Sequence, residues 1–173
     1  MIKPVEQPPA TLDTSFWINA FRAELLTWLG ELFHLAITDA VVEEIRYPTR
    51  QLGLPSPDTA VLEEWLARGT LRRENPSRPL PLFGPGEAAA IALAEEQGYV
   101  LLMDDGRPYQ YAKARGLRVV GTPDLVVVLY DRHHVTLQEA RAMLRSLLGV
   151  STRVVEAAGA LLEGIASARE EGR

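Results

Sequence analysis

The segment Tyr99-Val100-Leu101-Leu102-Met103 is an unbroken apolar run that stops abruptly at Asp104 and Asp105. A strand with one wet face alternates apolar and polar residues, whereas a continuous run requires cover on both faces. The run therefore predicts a central parallel strand between two layers of helix. The rest of the chain obeys the same rule. Ala10–Leu12, Phe33–Ile37 and Leu117–Val120 read as further short strands, each followed by a segment of helical periodicity. This alternation implies an α/β fold with a parallel sheet. In such folds, sites assemble at the carboxyl ends of the strands.

Local signals set the expected helix limits. Thr14 or Ser15 can cap a helix whose apolar positions run through Trp17, Ile18, Phe21, Leu25, Leu26 and Leu29, with Gly30 as its break. Thr38 caps a second helix, expected to end near Arg46 because Pro48 follows. Ser56-Pro57 opens a third that stops at Gly69. Pro76, Pro79, Pro81 and Pro85 make residues 75–85 a loop. Helices are then expected over Gly86–Gln97, Gly106–Arg115 and Pro123–Asp131. The capping-box spacing of Thr136 and Glu139 opens another to about Leu148, and a last amphipathic helix covers roughly Arg153–Ala168.

At 173 residues the chain suits one domain over residues 1–173, with its sequence motifs at about 11–131 and C-terminal helices at about 136–168. Hydrophobic residues are 47% of the total, as in a packed globule. No apolar run approaches the ~20 residues that span a bilayer. Met1–Ala10 has no basic stretch leading into an apolar one, so it does not read as a signal peptide, and a cytoplasmic address fits. The absence of cysteine excludes disulfides, thiolate catalysis and Cys-based zinc sites. The net charge of −5 argues against a basic DNA-reading module. It leaves room for a nuclease, since metal-binding acids themselves contribute negative charge.

The acids carry the chemistry. Asp13, Glu44, Glu87 and Asp104 each lie at the edge of an apolar segment, where folding can turn them inward. Carboxylates drawn together into one pocket repel and lose water, and a cation relieves both penalties. The chain thus reads as a metal-dependent hydrolase, a nuclease in the first instance. Asp13 ends a strand; its other reading is a helix cap, a task Thr14 and Ser15 can also perform. Ser15 is a further candidate for hydrogen-bonding support. Val41, Val42 and Ile45 form one helical arc, and Glu44 lies about 60° from Val41 while Glu43 points away. Glu44 is therefore the inward candidate. Glu87 stands in a first helical turn, where any acid suits the dipole. It also shares a stripe with Ile91 and Ala94 on a helix apolar nearly all round. Of Asp104 and Asp105, strand alternation admits one to the pocket; Asp104 is favoured, with Asp105 as a supporting or substitute ligand. Asp124, after Thr122-Pro123, reads first as an acid in a helix's opening turn that borders the same edge.

Other residues are quieter. His133 and His134 are adjacent and cannot share a face; His34 is isolated. Gly84-Pro85-Gly86 lacks the lysine of a phosphate loop, and no Gly-x-Ser-x-Gly elbow occurs. Trp17, Trp28 and Trp65 fit helical cores.

Taken in order, Leu12-Asp13-Thr14-Ser15, Val41-Val42-Glu43-Glu44-Ile45, Gly86-Glu87-Ala88-Ala89-Ala90-Ile91 and Leu101-Leu102-Met103-Asp104-Asp105 resemble the PIN domain family. Gly116–Thr122 also resembles the segment that follows in one prokaryotic branch, that of ribonuclease toxins. The resemblance spans roughly Thr11–Asp131. It implies a three-layer α/β/α sandwich with a mainly parallel sheet of about five strands. It implies Mg²⁺- or Mn²⁺-dependent cleavage of RNA, with Asp13, Glu44, Glu87 and Asp104 as the acidic site. Many relatives are toxins silenced by a small antitoxin that enters the acidic groove. Where relatives often carry Ala-Arg after the paired acids, this chain has Pro108-Tyr109, leaving Arg107 or Lys113 to supply the basic group.

The expected reaction is hydrolysis of single-stranded RNA. Asp13, Glu87 and Asp104 would hold one or two hard cations, Glu44 would orient the water or hold the metal through a water, and Arg107, Lys113 or Arg115 would touch the RNA backbone. Two other readings stand beside it: a catalytically weak PIN-fold or RNA-binding module, and a metal-dependent phosphatase of small phosphoesters. The apolar helices suit a homodimer as well as a core.

Overall fold

The computed structural model describes residues 6–54, 56–104 and 106–172. Its five strands are β1 (Pro9–Leu12), β2 (His34–Ile37), β3 (Leu71–Arg73), β4 (Val100–Leu102) and β5 (Val119–Val120). They form one sheet in the order β3-β2-β1-β4-β5, with every pairing parallel. The helices among the described residues are α1 (Thr14–Arg22), α2 (Leu26–Leu32), α3 (Asp39–Leu52), α4 (Pro57–Arg68), α5 (Pro85–Gln97), α6 (Arg107–Ala114), α7 (Thr122–Asp131), α8 (Leu137–Arg145) and α9 (Thr152–Glu171). The expected α/β architecture is present.

The strand pleat divides the core. Val100 and Leu102 join Ala10, Leu12, Leu35, Ile37 and Leu71 in a large cluster with α1–α4 and α7–α9. Leu101 and Met103 point the other way, into a smaller cluster with Ala90, Ile91 and Ala94 of α5 and Ala112 of α6. The continuous apolar run thus exists because β4 is covered on both faces. Trp17 lies wholly within the larger cluster, edge-on to Trp65, in keeping with a core role. Among the described residues no helix is long and apolar enough to cross a membrane.

Three local expectations are corrected. The first helix ends before Gly30: it stops at Arg22, and Gly30 lies inside α2. The stop is made by Glu24 in the left-handed region (φ 58°), which lets the Leu25 N–H reach the Ala20 carbonyl at 2.8 Å and the Leu25 side chain enter the core. Pro48 does not end α3. It removes one backbone donor, and the helix resumes to Leu52, closing at left-handed Gly53. The helix opened by Thr136 closes at Arg145, short of Leu148, which is 83% exposed. The edge strand β3 had no sequence signal: it is three residues long, and Arg72 and Arg73 point to solvent.

Candidate functional site

Asp13 and Asp104 are placed by one pair of adjacent strands, β1 and β4. Leu12 of β1 stands opposite Leu102 of β4, and the Asp13 N–H donates to the Leu102 carbonyl at 3.2 Å. Each strand thus delivers an aspartate to the carboxyl edge of the sheet. Both side chains are buried, Asp13 at 3% exposure and Asp104 at 5%.

Asp13 serves its helix as well. Its Oδ1 accepts the Phe16 N–H at 2.9 Å, so Asp13, and neither Thr14 nor Ser15, caps α1. Thr14 is turned to another task. Its hydroxyl donates to Glu44 Oε2 at 2.5 Å, while Ser15 faces solvent. Glu44 is half-buried on α3, and its Oε1 accepts the Gly86 N–H at 2.8 Å. Gly86 leaves room for Glu44 there, because a Cβ at that spot would run into the Glu44 carboxylate. Glu43, one residue earlier, is exposed and paired with Arg46 and Arg50, as the helical arc predicted. Glu87 is half-buried and accepts the Gly84 N–H at 3.2 Å in a capping box. Its first-turn role is therefore real, and it is combined with a position beside Asp13.

Asp104 is held by residues that carried no weight in the sequence. Asn19 Nδ2 donates to Oδ2 at 2.7 Å, and both the N–H and the hydroxyl of Thr122 donate to Oδ1, at 2.7 and 2.9 Å. Thr122 is thus a hydrogen-bond partner of Asp104 and not the cap of α7; Gly121 is the cap. Asn19 did leave a signal. It is the one polar residue in Phe16-Trp17-Ile18-Asn19-Ala20-Phe21, and it is 3% exposed. A buried amide in an apolar stripe needs a partner. Asp124 accepts the Gly121 N–H at 3.0 Å in the expected first-turn role. A Cβ on Gly121 would stand 3.3 Å from Asp104 Oδ1 and 3.4 Å from Asp124 Oδ2, so Asp124 borders the site from solvent. Asp105 lies outside the described residues.

The electrostatics show that the four acids share one neighbourhood. Burial pushes the Asp13 carboxyl up from 3.8 to about 7, against the lowering effect of the Phe16 N–H, and the charges of Asp104, Glu87 and Glu44 each add to the rise. Among the described residues none of Asp13, Glu44 and Glu87 makes an ion pair. The candidate ligands are all hard carboxylate oxygens, and the charge of Asp13 is disfavoured by burial and by the neighbouring acids. That chemistry fits a divalent cation such as Mg²⁺. Among the described residues no group of three or more such side chains is gathered closely enough to enclose an ion, and several of these oxygens accept from backbone and hydroxyl donors.

Of the basic candidates, Arg115 is committed to Glu95 and lies over the Tyr111 ring at 5.7 Å. Lys113 lies 5.5 Å from the Tyr109 ring centroid. Arg107 is exposed in the first turn of α6, just beyond the Asp104 edge.

No curated protein matches the chain in sequence. A family model does match, over residues 10–161: DUF3368, described as a PIN domain. With the all-parallel sheet and most of the chain's length inside that match, the protein belongs to the PIN domain family.

Proposed function

We propose that this protein is a metal-dependent ribonuclease that hydrolyses phosphodiester bonds of single-stranded RNA. The observation that carries the reading is Asp13: a carboxyl at a parallel strand end, almost wholly buried, and pushed up to about 7 by burial and three neighbouring acids. Such an arrangement is costly in a resting fold and becomes favourable when positive charge is delivered to it.

Asp13 and Asp104 would hold Mg²⁺ or Mn²⁺, with Glu87 as a further oxygen ligand. When bound, the ion supplies Lewis acidity toward a phosphate oxygen and lowers the pKa of an attacking water. The chain's own residues do the rest. Asn19 and Thr122 fix the Asp104 carboxylate through three hydrogen bonds, so it meets its ligand without rotamer search. Thr14 and Gly86 hold Glu44 at the rim, where its carboxylate can orient water. Arg107 would contact the RNA backbone. A small antitoxin protein entering the acidic groove is the partner that would silence the site.

The test is cleavage of a mixed-sequence single-stranded RNA with Mg²⁺ or Mn²⁺, with and without EDTA, by wild type and Asp13→Ala. Metal-dependent cleavage lost in the variant is the expected result. Equal cleavage by the two proteins removes Asp13 from the site. No cleavage by folded wild type with either metal overturns the nuclease reading.

A further inference from the structure

A cleft of about 780 Å³ is lined by Phe83, Arg107, Gln110, Tyr111 and Arg153. Two of its walls come from segments that carry acids of the candidate site. Phe83 directly precedes Gly84, and the N–H groups of Gly84 and Gly86 donate to Glu87 and Glu44. Arg107 lies three residues past Asp104. Arg153 comes from the first turn of α9, far along the chain. We infer that this cleft is a nucleotide subsite, in which Phe83 and Tyr111 take a base of single-stranded RNA while Arg107 and Arg153 take its phosphate. The inference rests on RNA being the ligand of those acids.

Four observations support it. Phe83 is 36% exposed although its ring sits 5.4 Å from Tyr111 in an edge-on pair. Burial therefore does not explain why an aromatic stands there. Its backbone lies in the left-handed region at φ 67°, which a bulky residue adopts at a cost. A loop free to relax would place glycine there. Tyr111 is fixed from a second direction by Arg115, itself tied to Glu95. Arg107 and Arg153 make no hydrogen bond or ion pair among the described residues, in a chain whose net charge is negative. Unspent guanidinium groups flanking an exposed ring pair offer what one nucleotide needs. Every base has a π-face for an aromatic to meet, and a phosphate matches the guanidinium fork.

The experiment measures binding of a short fluorescein-labelled, mixed-sequence single-stranded RNA by anisotropy, with Mg²⁺ present, in an Asp13→Asn background that prevents cleavage. Phe83→Leu is expected to weaken binding about tenfold. Arg153→Gln is expected to weaken it and to reduce the slope of log affinity against log salt by about 0.7. Arg132→Gln removes the same charge at the opposite end of α7 from the Asp104 contact and is expected to change neither. Folded Phe83→Leu and Arg153→Gln proteins that bind like their parent overturn the subsite. An equal loss with Arg132→Gln overturns it too, because the effect is then bulk charge. If the losses appear but wild type cleaves no RNA, the subsite stands and the nuclease reading falls. If wild type cleaves RNA but both variants bind it unaltered, the subsite falls and the nuclease reading stands.

Discussion

Replacing Asp13 by Asn should make the metal-free protein more stable at alkaline pH while abolishing its response to divalent cations. The sign follows from the proton count. The Asp13 carboxyl titrates near 3.8 in the unfolded chain and near 7 in the folded one. Between those values the folded state holds a proton that the unfolded state has lost, so stability falls as pH rises through this window. Above pH 7 the folded protein must carry the buried charge, at a cost of about 1.4 kcal/mol for each of about three pH units, or about 4 kcal/mol in all. Asn caps a helix as well as Asp, so the bond from the Phe16 N–H survives the exchange. The figure is an upper bound, because a buried amide also loses water. For a chain of this length 4 kcal/mol corresponds to about 8–16 °C in Tm. At pH 5 the advantage should shrink to under about 2 kcal/mol. The assay is thermal unfolding of wild type and Asp13→Asn by circular dichroism at pH 5 and pH 8, in EDTA and in Mg²⁺. Wild type should gain stability from Mg²⁺ chiefly at pH 8, and the variant should gain little at either pH. An Asp13→Asn protein no more stable than wild type at pH 8 in EDTA, or one that keeps the full Mg²⁺ gain, would refute the reasoning.

Two further outcomes test how the other acids are held. Gly86→Ala should leave the fold intact, because the colliding group is the end of a flexible side chain, but it should expel Glu44 from its place on the Gly86 N–H; RNA cleavage should fall at least tenfold with Tm unchanged within a few degrees, and undiminished cleavage would remove Glu44 from the reaction. Asn19→Ala strips Asp104 of a charge-assisted hydrogen bond of about 1.5–3 kcal/mol and should weaken Mg²⁺ binding about 10–100-fold, read from the midpoint of the thermal-shift titration, whereas Glu43→Gln, three residues of α3 from Arg46 and outside the site, should leave that midpoint where it is.

Much of the architecture was legible because it follows from local rules. Apolar runs between capped helices dictate strands covered on both faces, and strand ends dictate where acids gather. Tyr99–Met103 ending at Asp104 is enough to predict a parallel sheet with an acid at its edge, and the arc of Val41, Val42 and Ile45 is enough to separate Glu44 from Glu43. What escaped was set by partners distant in sequence. The strand Leu71–Arg73 has two arginines in three residues and exists because β2 offers it an edge to pair with. Helix α1 stops at Arg22 because Leu25 has a core to enter, which no pattern of residues 14–29 announces.

The site divides in the same way. The sequence alone supplied the four acids, since a carboxylate bordering an apolar segment is visible without coordinates. Only the tertiary structure decided their surroundings: Thr14 turning from cap to Glu44, Thr122 and Asn19 closing on Asp104, and Gly86 yielding its Cβ space to a glutamate 42 residues earlier. Hydrogen bonds and desolvation depend on which atoms meet within a few ångströms, and that is fixed when the sheet brings β1 and β4 side by side. The raised pKa of Asp13 is the sharpest instance. Its identity belongs to the sequence, but its reluctance to ionise belongs to the burial and the neighbours that the fold imposes.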